Sequence, residues 1–387
     1  MRIVLITTDI AGKSGWSRYA SDLGRTLASL GHKITAIVHE KTGADWCTEY
    51  AILGRDVDEL GNPLLRFRDA WRLRRILKKI KPDIVHVMAE PYGLLLPLLP
   101  HGPWKTCLTI HGSYAVLPLA KGGGTRRLAE KMYNKVDRVF SVSQFTKNHL
   151  QRREPAVWRS ADLEHKVRVI SNGIDLTRVP LPPEGRIQQP MRSIIGIGAV
   201  KERKGYIQAV EACAQFRQTF KVDVRYDIYG SLEHDPAYVE RLRSRIHELG
   251  LENAVQLHGS VTDETLDLAY RNADLFLLLS QGDDTNFEGF GLVFLEASAR
   301  GVPVIGPTTG GCPEAIRENR SGYAVDPTNT KLAAERMHQI LVQHSIRPEE
   351  CRFWAEANSV ERRAKELSKA YEELRSPNPR PNPILAP

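Results

Sequence analysis

The stretch NFEGFGLVFLEASARGVPVIG, residues 286–306, places two glutamates, Glu288 and Glu296, eight positions apart. Between them lie two glycines, Gly289 and Gly291, and a run of apolar residues. Ordinary packing explains the apolar run, because a helix buries such residues against a core. It does not explain a carboxylate at each edge or two glycines separated by a single residue. The stretch therefore predicts a helix that packs on a core and leaves Glu288 and the glycines to be explained.

Length and composition describe a globular protein of more than one domain. The chain has 387 residues, of which 42% are hydrophobic and 26% are charged, as is typical of folded globular chains. The longest apolar stretch, 92–100, contains Pro97 and is too short to span a bilayer. The five cysteines include no C-x-x-C pair. We therefore expect reduced thiols in a cytoplasmic protein.

Apolar runs alternate with helical patterns, which predicts two α/β domains with parallel sheets. The strands predicted for the first domain are 2–7, 33–38, 83–89, 105–112, 138–143 and 167–171. Those predicted for the second are 193–200, 224–230, 254–259, 275–280, 302–306 and 322–326. A Pro-rich stretch, 179–190, has the composition of a hinge. Such domains are expected to face each other across a cleft at the carboxyl ends of their strands.

The domain boundaries follow from this alternation. We expect an N-terminal Rossmann-like domain over 1–187 and a C-terminal Rossmann-like domain over 188–358. The tail, 376–387, has the composition of a disordered segment.

The spacing of Glu288 and Glu296 suits a nucleotide sugar. A helix that starts near residue 291 offers free N–H groups and a partial positive charge to a phosphate. Eight residues of helix cover roughly 12 Å, about the length of a sugar diphosphate joined to a ribose. Each carboxylate then accepts hydrogen bonds from hydroxyls of the sugar or of the ribose. A solvated surface loop followed by an amphipathic helix explains the same spacing. The amides placed at the diphosphate are those of Phe290, Gly291, Leu292 and Val293.

Together with several other motifs, this stretch resembles the retaining glycosyltransferases of the family 4 type, also called group 1 glycosyltransferases. The segment EGFGLVFLEA matches their E-x7-E signature, and further matches run in the family's order across roughly residues 1–375. The resemblance implies a GT-B fold, with two Rossmann-like domains and a final helix, 359–375, that crosses back to the first domain. The other matching segments are GVPVIGPTTGGCPEAI (301–316), RVISNGID (168–175), RVFSVSQFTKNHL (138–150), TIHGSY (109–114) and the N-terminal GKSGWSRYASDLGRTLASLGH.

The resemblance implies roles for the donor site in the second domain. Glu288 would contact hydroxyls of the donor sugar, and Glu296 would hold the ribose. Lys204 would bind the diphosphate and offset the charge that builds on the leaving group. The family usually has an arginine six residues before this lysine, where the chain has Gly198. Arg203 is the better candidate for the missing cation, and Lys201 is the alternative.

The resemblance also implies roles in the first domain. His111 would lie beside the anomeric region of the sugar and act with Glu288 and Lys204 in catalysis. Without the motif, a histidine at the end of an apolar strand is more often a structural residue. Ser14, Gly15 and Tyr114 would belong to loops that meet the acceptor or the diphosphate.

Other nucleotide and metal motifs do not fit the chain. The segment GKSG lacks the glycine that a P-loop needs at position 7, where Thr7 stands. In GIGAVK, Lys201 occupies the place of the third glycine of a dinucleotide fingerprint. Asp283 and Asp284 lie in a segment with the composition of a loop. Solvated side chains explain this pair better than metal ligands do. The resemblance implies a family that does not depend on a bound metal, and we expect no cofactor beyond the nucleotide sugar itself.

Charge is unevenly distributed. Residues 1–187 hold 30 lysines and arginines against 18 acidic residues, whereas the remainder is slightly acidic. The helix expected near 69–80 carries much of this charge, with Trp71, Leu73, Ile76, Leu77 and Ile80 predicted to form its core stripe. A solvated helix face is the ordinary explanation. The alternative is contact with an anionic surface, such as lipid headgroups on the inner face of a membrane or a lipid-linked acceptor. Nucleic acid is a weaker alternative because aromatic residues do not alternate with the basic ones.

The resemblance, taken with these observations, implies a metal-independent retaining hexosyltransferase. It would move a sugar from a UDP- or GDP-linked donor to a glycan or lipid-linked acceptor in the synthesis of a polysaccharide or glycoconjugate. Two alternatives remain at this point. One is a sugar-nucleotide 2-epimerase of the same fold, and the other is a protein that binds a nucleotide sugar without turnover.

Overall fold

Two compact units make up the protein. The computed structural model describes residues 1–12, 14–54, 62–179 and 191–376. One unit is formed by Met1–Gly173 together with the segment that begins at Val360, and the other by Ile174–Ser359. Residues 174–179 thus belong to the second unit. The predicted boundary at 187/188, nearly all of the predicted hinge and the tail from residue 377 lie outside the described residues.

The first unit contains a parallel sheet. Its described strands are β1 (Arg2–Ile6), β2 (Lys33–Val38), β3 (Thr48–Ala51), β4 (Ile84–Val87), β5 (Lys105–Ile110), β6 (Arg138–Ser141) and β7 (Val167–Val169). They pair in the order β3-β2-β1-β4-β5-β6-β7. The helices between them are α1 (Gly15–Ser29), α2 (Pro63–Ile80), α3 (Leu117–Ala120), α4 (Gly123–Lys135), α5 (Gln144–Arg153), α6 (Pro155–Ser160) and α7 (Leu163–Lys166), with 3-10 helices at Glu90–Leu98 and Ser113–Ala115. The edge strand β3, TEYA, is not predicted from the sequence because it lacks an apolar run.

The second unit repeats this architecture. Its described strands are β8 (Arg192–Ile197), β9 (Val224–Tyr229), β10 (Val255–Gly259), β11 (Leu275–Leu277), β12 (Val304–Pro307) and β13 (Gly322–Val325). They pair in the parallel order β10-β9-β8-β11-β12-β13. Its helices are α8 (Tyr206–Phe220), α9 (Pro236–Glu248), α10 (Asp263–Asn272), α11 (Leu292–Ala299), α12 (Thr330–Leu341) and α13 (Pro348–Ala357), with 3-10 helices at Leu176–Arg178, Glu202–Lys204 and Cys312–Ala315.

The last helix of the chain, α14 (Val360–Arg375), completes the core of the first unit. It packs on α1. Its buried residues Ala364, Leu367 and Tyr371 share one hydrophobic cluster with Leu5 and Phe140 of the sheet. The first unit is therefore built from both ends of the chain.

Both sheets reverse their strand order at one point. In the first unit the order changes direction at β1, which lies beside β4, and in the second at β8, which lies beside β11. Open parallel sheets bind ligands at the carboxyl ends of the strands at such a reversal, because the loops there diverge and leave a crevice. The loops after these strands are therefore the places to look for a site within each unit.

Helix α2 differs from the sequence prediction in one important respect. Leu73 and Leu77 are buried, as expected, but Trp71 is exposed, so its assignment to the core stripe is wrong. Residues two apart on a helix point about 200° away from each other, and Trp71 therefore lies opposite Leu73. Asp69 is buried on the inner face, where its carboxylate accepts hydrogen bonds from Gly54 N–H and Arg68 Nε–H.

No helix in the described part of the chain is long and apolar enough to cross a membrane.

Candidate active site

The loop after β8 carries two cations, and the residues that follow β11 hold its backbone in place. Arg203 and Lys204 form part of the 3-10 helix that leads into α8. Gly205 follows with a φ of +66°, and a Cβ there would overlap the carbonyl oxygen of Leu279. Gln281 N–H donates to Arg203 O at 2.8 Å. The loop is thus held against the residues that follow β11, and both cationic side chains start from a fixed backbone.

Both cations converge on Glu288. Lys204 Nζ lies 2.5 Å from Glu288 Oε1, and Arg203 Nη1 lies 2.6 Å from the same oxygen. The three side chains are only 15–19% exposed. Two residues from the loop after β8 therefore meet one residue from the loop after β11, at the point where the sheet reverses its order.

The electrostatics of this cluster keep the carboxylate ionised. Burial of Glu288 favours the neutral acid, but the charges of Lys204 and Arg203 outweigh it and lower its pKa from 4.5 to about 2. Burial also lowers the pKa of the Lys201 ammonium, with repulsion from Arg203 and Lys204 adding to the effect. Formally, one negative charge faces three positive ones. This excess of positive charge is of the kind that attracts an anion.

A glycine pair positions Glu288. Gly311 N–H donates to Glu288 O at 2.8 Å. Gly310 has a φ of +64°, and a Cβ at this position would lie 2.5 Å from Glu288 O. The backbone of Glu288 can therefore sit at this distance only because position 310 carries no side chain. This contact gives a physical reason for the two glycines in TTGGCPE.

The helix predicted to start near 291 is α11. Gly291 is its N-cap, Leu292 and Val293 form its first turn, and Gly289 and Phe290 are buried in the loop before it. The first N–H groups of a helix have no partner within the helix, so this end also suits an anion.

Glu296 lies in the middle of α11 and is half-buried. Tyr270 O–H donates to Glu296 Oε2 at 3.4 Å. The guanidinium of Arg300 covers the Tyr270 ring at 4.5 Å from its centroid and pairs with Asp267. Tyr270 was not predicted as a site residue, and its hydroxyl fixes one oxygen of the Glu296 carboxylate.

In the first unit, Glu90 connects two predicted site segments. It is 3% exposed and follows β4 at the order reversal of that sheet. Glu90 Oε1 accepts the backbone N–H of His111, and Oε2 accepts Trp16 Nε1–H at 2.9 Å. One buried carboxylate therefore ties the loop after β5 to the start of α1. Sequence analysis missed Glu90, although a carboxylate directly after an apolar strand was the available signal.

His111 itself is neutral and tightly held. Its Nε2 lies 2.8 Å from Met88 O, so Nε2 carries the proton and donates it. The imidazole meets the Tyr19 ring at a right angle, with centroids 4.5 Å apart. Burial lowers the pKa of His111, although Glu90 and the Met88 hydrogen bond oppose this. In this arrangement the ring nitrogen left for a ligand is Nδ1, which is a hydrogen-bond acceptor.

The remaining predicted residues of the first unit lie beside this arrangement. Ser14 caps α1, with its hydroxyl accepting Ser17 N–H at 3.2 Å, and Gly15 is the first residue of the helix. A Cβ at Gly15 would meet nothing within 4 Å. Tyr114 is exposed, and its ring stands edge-on to that of Trp16 with centroids 5.1 Å apart. The structure thus brings Ser14, Gly15, His111 and Tyr114 to one end of this sheet.

A buried polar chain lies beneath this end of the sheet. His86 on β4 is fully buried, and its two ring nitrogens lie 2.6 Å from Tyr371 OH and 2.8 Å from Thr109 Oγ1. Tyr19 OH lies 3.2 Å from the same Thr109 oxygen. Burial, with a smaller contribution from His111, lowers the pKa of His86 to about 3. Helix α14 is thereby linked to the residue that packs on His111.

The metal alternative has no support among the described residues. They contain no group of three or more histidines, cysteines and acids arranged for a metal ion. Asp283 Oδ1 accepts the backbone N–H groups of Thr285 and Asn286 at 2.6 and 2.8 Å, which makes Asp283 a turn residue. All five cysteines are free thiols.

Two Rossmann-like parallel-sheet units, the second with a cluster of cations at its order reversal, place this protein in the GT-B class. Family comparison gives the same result: "Glycosyl transferases group 1" matches residues 182–358, and "Glycosyltransferase Family 4" matches residues 13–178. The chain belongs to the group 1 glycosyltransferases of the family 4 type. Both the predicted family and the predicted GT-B fold are confirmed.

Curated relatives support this assignment. The GDP-mannose-dependent alpha-(1-6)-phosphatidylinositol monomannoside mannosyltransferase of Mycolicibacterium smegmatis is 30% identical over 288 residues, which cover 70% of each chain. The protein of the same name from Mycobacterium tuberculosis is 27% identical over 360 residues, which cover 88% of this chain and 89% of that one.

Solved structures show the same fold. Sucrose-phosphate synthase from Thermosynechococcus elongatus matches with a TM-score of 0.76 at 20% identity, over 97% of this chain and 99% of that chain. Anabaena HepE in complex with UDP and glucose matches with a TM-score of 0.71 at 16% identity, over 96% and 99% of the two chains.

Proposed function

We propose that the protein is a retaining glycosyltransferase that moves a hexose from a nucleoside diphosphate sugar to a hydroxyl of a glycan or a lipid-linked glycan. The observation that carries the proposal is the cluster of Arg203 and Lys204 on Glu288, with Lys201 beside it. Its excess positive charge, next to the start of α11, suits a diphosphate.

Each residue of the second unit has a separate task in this proposal. Lys204 and Arg203 bind the diphosphate, with Arg203 taking the place of the family arginine that is missing at Gly198. The amides of residues 290–293 bind phosphate oxygens at the start of α11. Glu288 accepts hydrogen bonds from sugar hydroxyls, and Glu296, oriented by Tyr270, accepts them from the ribose.

The chemical step breaks the bond between the anomeric carbon and the phosphate oxygen. The electron pair leaves with the diphosphate, and the cations of Arg203 and Lys204 offset the charge that develops there. The acceptor hydroxyl attacks the anomeric carbon on the face that the diphosphate leaves, and its proton passes to the departing phosphate. Configuration is retained, and the task of the protein is orientation and electrostatic support. Because these two side chains supply the neutralising charge, we propose that the reaction needs no metal ion.

The first unit is proposed to serve the acceptor. Gly15 leaves space at the start of α1, and Tyr114 offers an exposed aromatic ring on which a sugar can stack. His111 would contribute Nδ1 as an acceptor for a hydroxyl. GDP-mannose is the first donor to test, because the two mannosyltransferases described above are GDP-mannose-dependent by name and their names give phosphatidylinositol monomannoside as a substrate.

A donor panel tests this proposal. GDP-mannose, UDP-glucose and ADP-glucose are compared by thermal shift and by slow release of nucleotide, with the wild type, Glu288→Ala, Lys204→Ala and the exposed control Lys331→Ala. We expect one donor to stabilise the wild type and Lys331→Ala and to release its nucleotide, and both site variants to lose this release. An epimerase would instead convert the sugar without an acceptor, and a binding protein would be stabilised without turnover. Stabilisation by none of the donors would refute the proposal.

A further inference from the structure

The outer face of α2 carries a line of exposed apolar side chains. Leu64, Phe67 and Trp71 are 78%, 61% and 57% exposed. Their spacing of three and four residues places them on one side of the helix, opposite the buried Leu73 and Leu77. Large apolar residues that are exposed together, rather than singly, mark a surface that binds a partner. The inner face of α2 already packs on its own unit, so this outer line is available.

The C-terminal half of the same helix is basic. Arg75 covers the Trp71 ring, with its guanidinium carbon 4.8 Å from the centroid. Within the described part of the chain, no carboxylate lies at ion-pair distance from the five other cations. Those cations, all exposed, are Arg72, Arg74, Lys78, Lys79 and Lys81. The helix therefore presents an apolar line that continues into unneutralised positive charge.

A second basic helix lies on the same part of the unit. Helices α2 and α4 both pack on the 3-10 helix Glu90–Leu98. Arg127 and Lys131 of α4 are exposed. The positive surface is thus broader than one helix, in the half of the chain that holds the charge excess.

We propose that the outer face of α2, formed by Leu64, Phe67, Trp71 and the adjoining cations, binds the surface of an anionic lipid bilayer. The apolar side chains enter the boundary between headgroups and acyl chains, and the cations contact the headgroup phosphates. The combination decides the class of partner. Nucleic acid would leave Leu64 and Phe67 in water, and a neutral protein groove would leave the cations unpaired.

This inference goes beyond the proposed function, because it needs neither the donor nor the acceptor. A basic residue at an anionic surface multiplies the partition coefficient by about fivefold. Several such residues and two inserted rings together give measurable binding. Lipid binding would keep the enzyme at the surface where a lipid-linked acceptor resides.

Vesicle co-sedimentation of the full chain tests the surface. Vesicles of phosphatidylglycerol and phosphatidylcholine are compared with vesicles of phosphatidylcholine alone. The apolar variant is Phe67→Ser with Trp71→Ser. Its matched control is Phe353→Ser on α13, where the ring is 58% exposed and also has a neighbouring arginine, Arg317.

A second pair of variants tests the charge. Lys78→Gln with Lys79→Gln removes two cations of α2, and Lys365→Gln with Lys369→Gln removes two exposed cations of α14 as the control. Circular dichroism confirms that each variant is folded. Donor hydrolysis, measured without vesicles, is expected to be unchanged in all of them, which separates a failure of this surface from a failure of the proposed function.

We expect the wild type to bind the anionic vesicles and to dissociate as salt is added. The apolar variant should bind at least tenfold more weakly, and the lysine variant of α2 more than tenfold more weakly, while both controls bind like the wild type. The proposal is overturned if the wild type does not sediment, or if the apolar variant binds as the wild type does. It is also overturned if the apolar variant abolishes a dimer of the free protein instead of vesicle binding.

Discussion

Glu288 and Glu90 occupy equivalent places in their two units and are stabilised in opposite ways. Each follows a strand at the point where its sheet reverses order. Glu288 meets the charges of Lys204 and Arg203, whereas Glu90 accepts the backbone N–H of His111 and the indole N–H of Trp16. The side chains of Lys204 and Arg203 can reorient towards an arriving anion. The N–H groups of His111 and Trp16 are already hydrogen-bonded to Glu90 and hold two segments of the first unit together. The comparison indicates a site that exchanges partners in the second unit and a fixed support in the first.

The largest effect is expected from breaking the charged cluster. Lys204→Ala removes a cation that is proposed to act on the leaving group, and we expect kcat/KM to fall by on the order of a hundredfold to a thousandfold. Glu288→Gln leaves the cations in place without their carboxylate. GDP without a sugar should therefore bind Glu288→Gln at least as tightly as the wild type, while binding to Lys204→Ala is weakened. Calorimetric titration of GDP measures both, and weaker GDP binding by Glu288→Gln would contradict this account of the charges.

A comparison of two glycine variants tests whether Gly310 positions Glu288. Gly310→Ala adds a Cβ that would press on Glu288 O, at a φ of +64°. Gly250→Ala has the same backbone strain, at a φ of +63°, but its Cβ would meet nothing within 4 Å. Both substitutions should lower the melting temperature, and Gly310→Ala should lower it more because its Cβ also overlaps Glu288 O. Only Gly310→Ala should also lower kcat/KM, by roughly tenfold, because it displaces the carboxylate. Equal activity in the two variants would show that Glu288 does not need this position.

The substitution Glu90→Gln tests whether Glu90 has a structural role in the first unit. A glutamine has only one acceptor oxygen, so either His111 N–H or Trp16 Nε1–H loses its partner in a buried place. We expect a loss of about 1–3 kcal/mol in the free energy of unfolding. The exposed Glu40→Gln is the control and should change stability little. The thermal shift caused by the donor should persist in Glu90→Gln, and its disappearance would mean that Glu90 acts directly on the donor.

The smallest effect is a difference in acid sensitivity. The folded pKa of His86 is about 3, below its ordinary 6.5, so the unfolded chain binds more protons and stability falls as pH falls below 6.5. The contribution of Glu288, with a folded pKa of about 2 against 4.5, is lost only as pH falls below 4.5. Hydrogen exchange should therefore show that the backbone amides of β5 are less protected at pH 5.5 than at pH 7. The protection of the amides of β11 should be the same at both pH values. His86→Gln should reduce this dependence, with the remainder coming from His111, whose pKa burial also lowers. Equal loss in both strands would contradict the prediction.

The sequence predicts the scaffold of the second unit better than the contacts of its site. The apolar run after Gly291 marks α11 to within one residue, because strand and helix periodicity is local. The meeting of Lys204 with Glu288 spans 84 residues of chain. Only the parallel order of β8 and β11 brings them together. A single sequence gives the residue types along the chain, but it does not show which loops lie next to each other in the fold.

The first unit shows the opposite limitation. Glu90 stands in a segment, AEPYG, whose composition is that of any loop, and its importance depends on Trp16 and His111 from two other segments. Trp71 was assigned to the core because apolar residues on helices usually face inward. Its exposure became visible only once the buried face of α2 was known.

The discontinuity of the first unit has a consequence for the order of folding during synthesis. Residues 174–359 form a compact unit from one continuous segment of the chain. The earlier-synthesised Met1–Gly173 must wait for α14, which supplies Tyr371 to His86 and closes the core. The segment that forms α14 must therefore be synthesised before the first unit can reach its final state. A chain that stops short of residue 360 would keep a folded second unit and leave the apolar surface of the first exposed to chaperones and proteases.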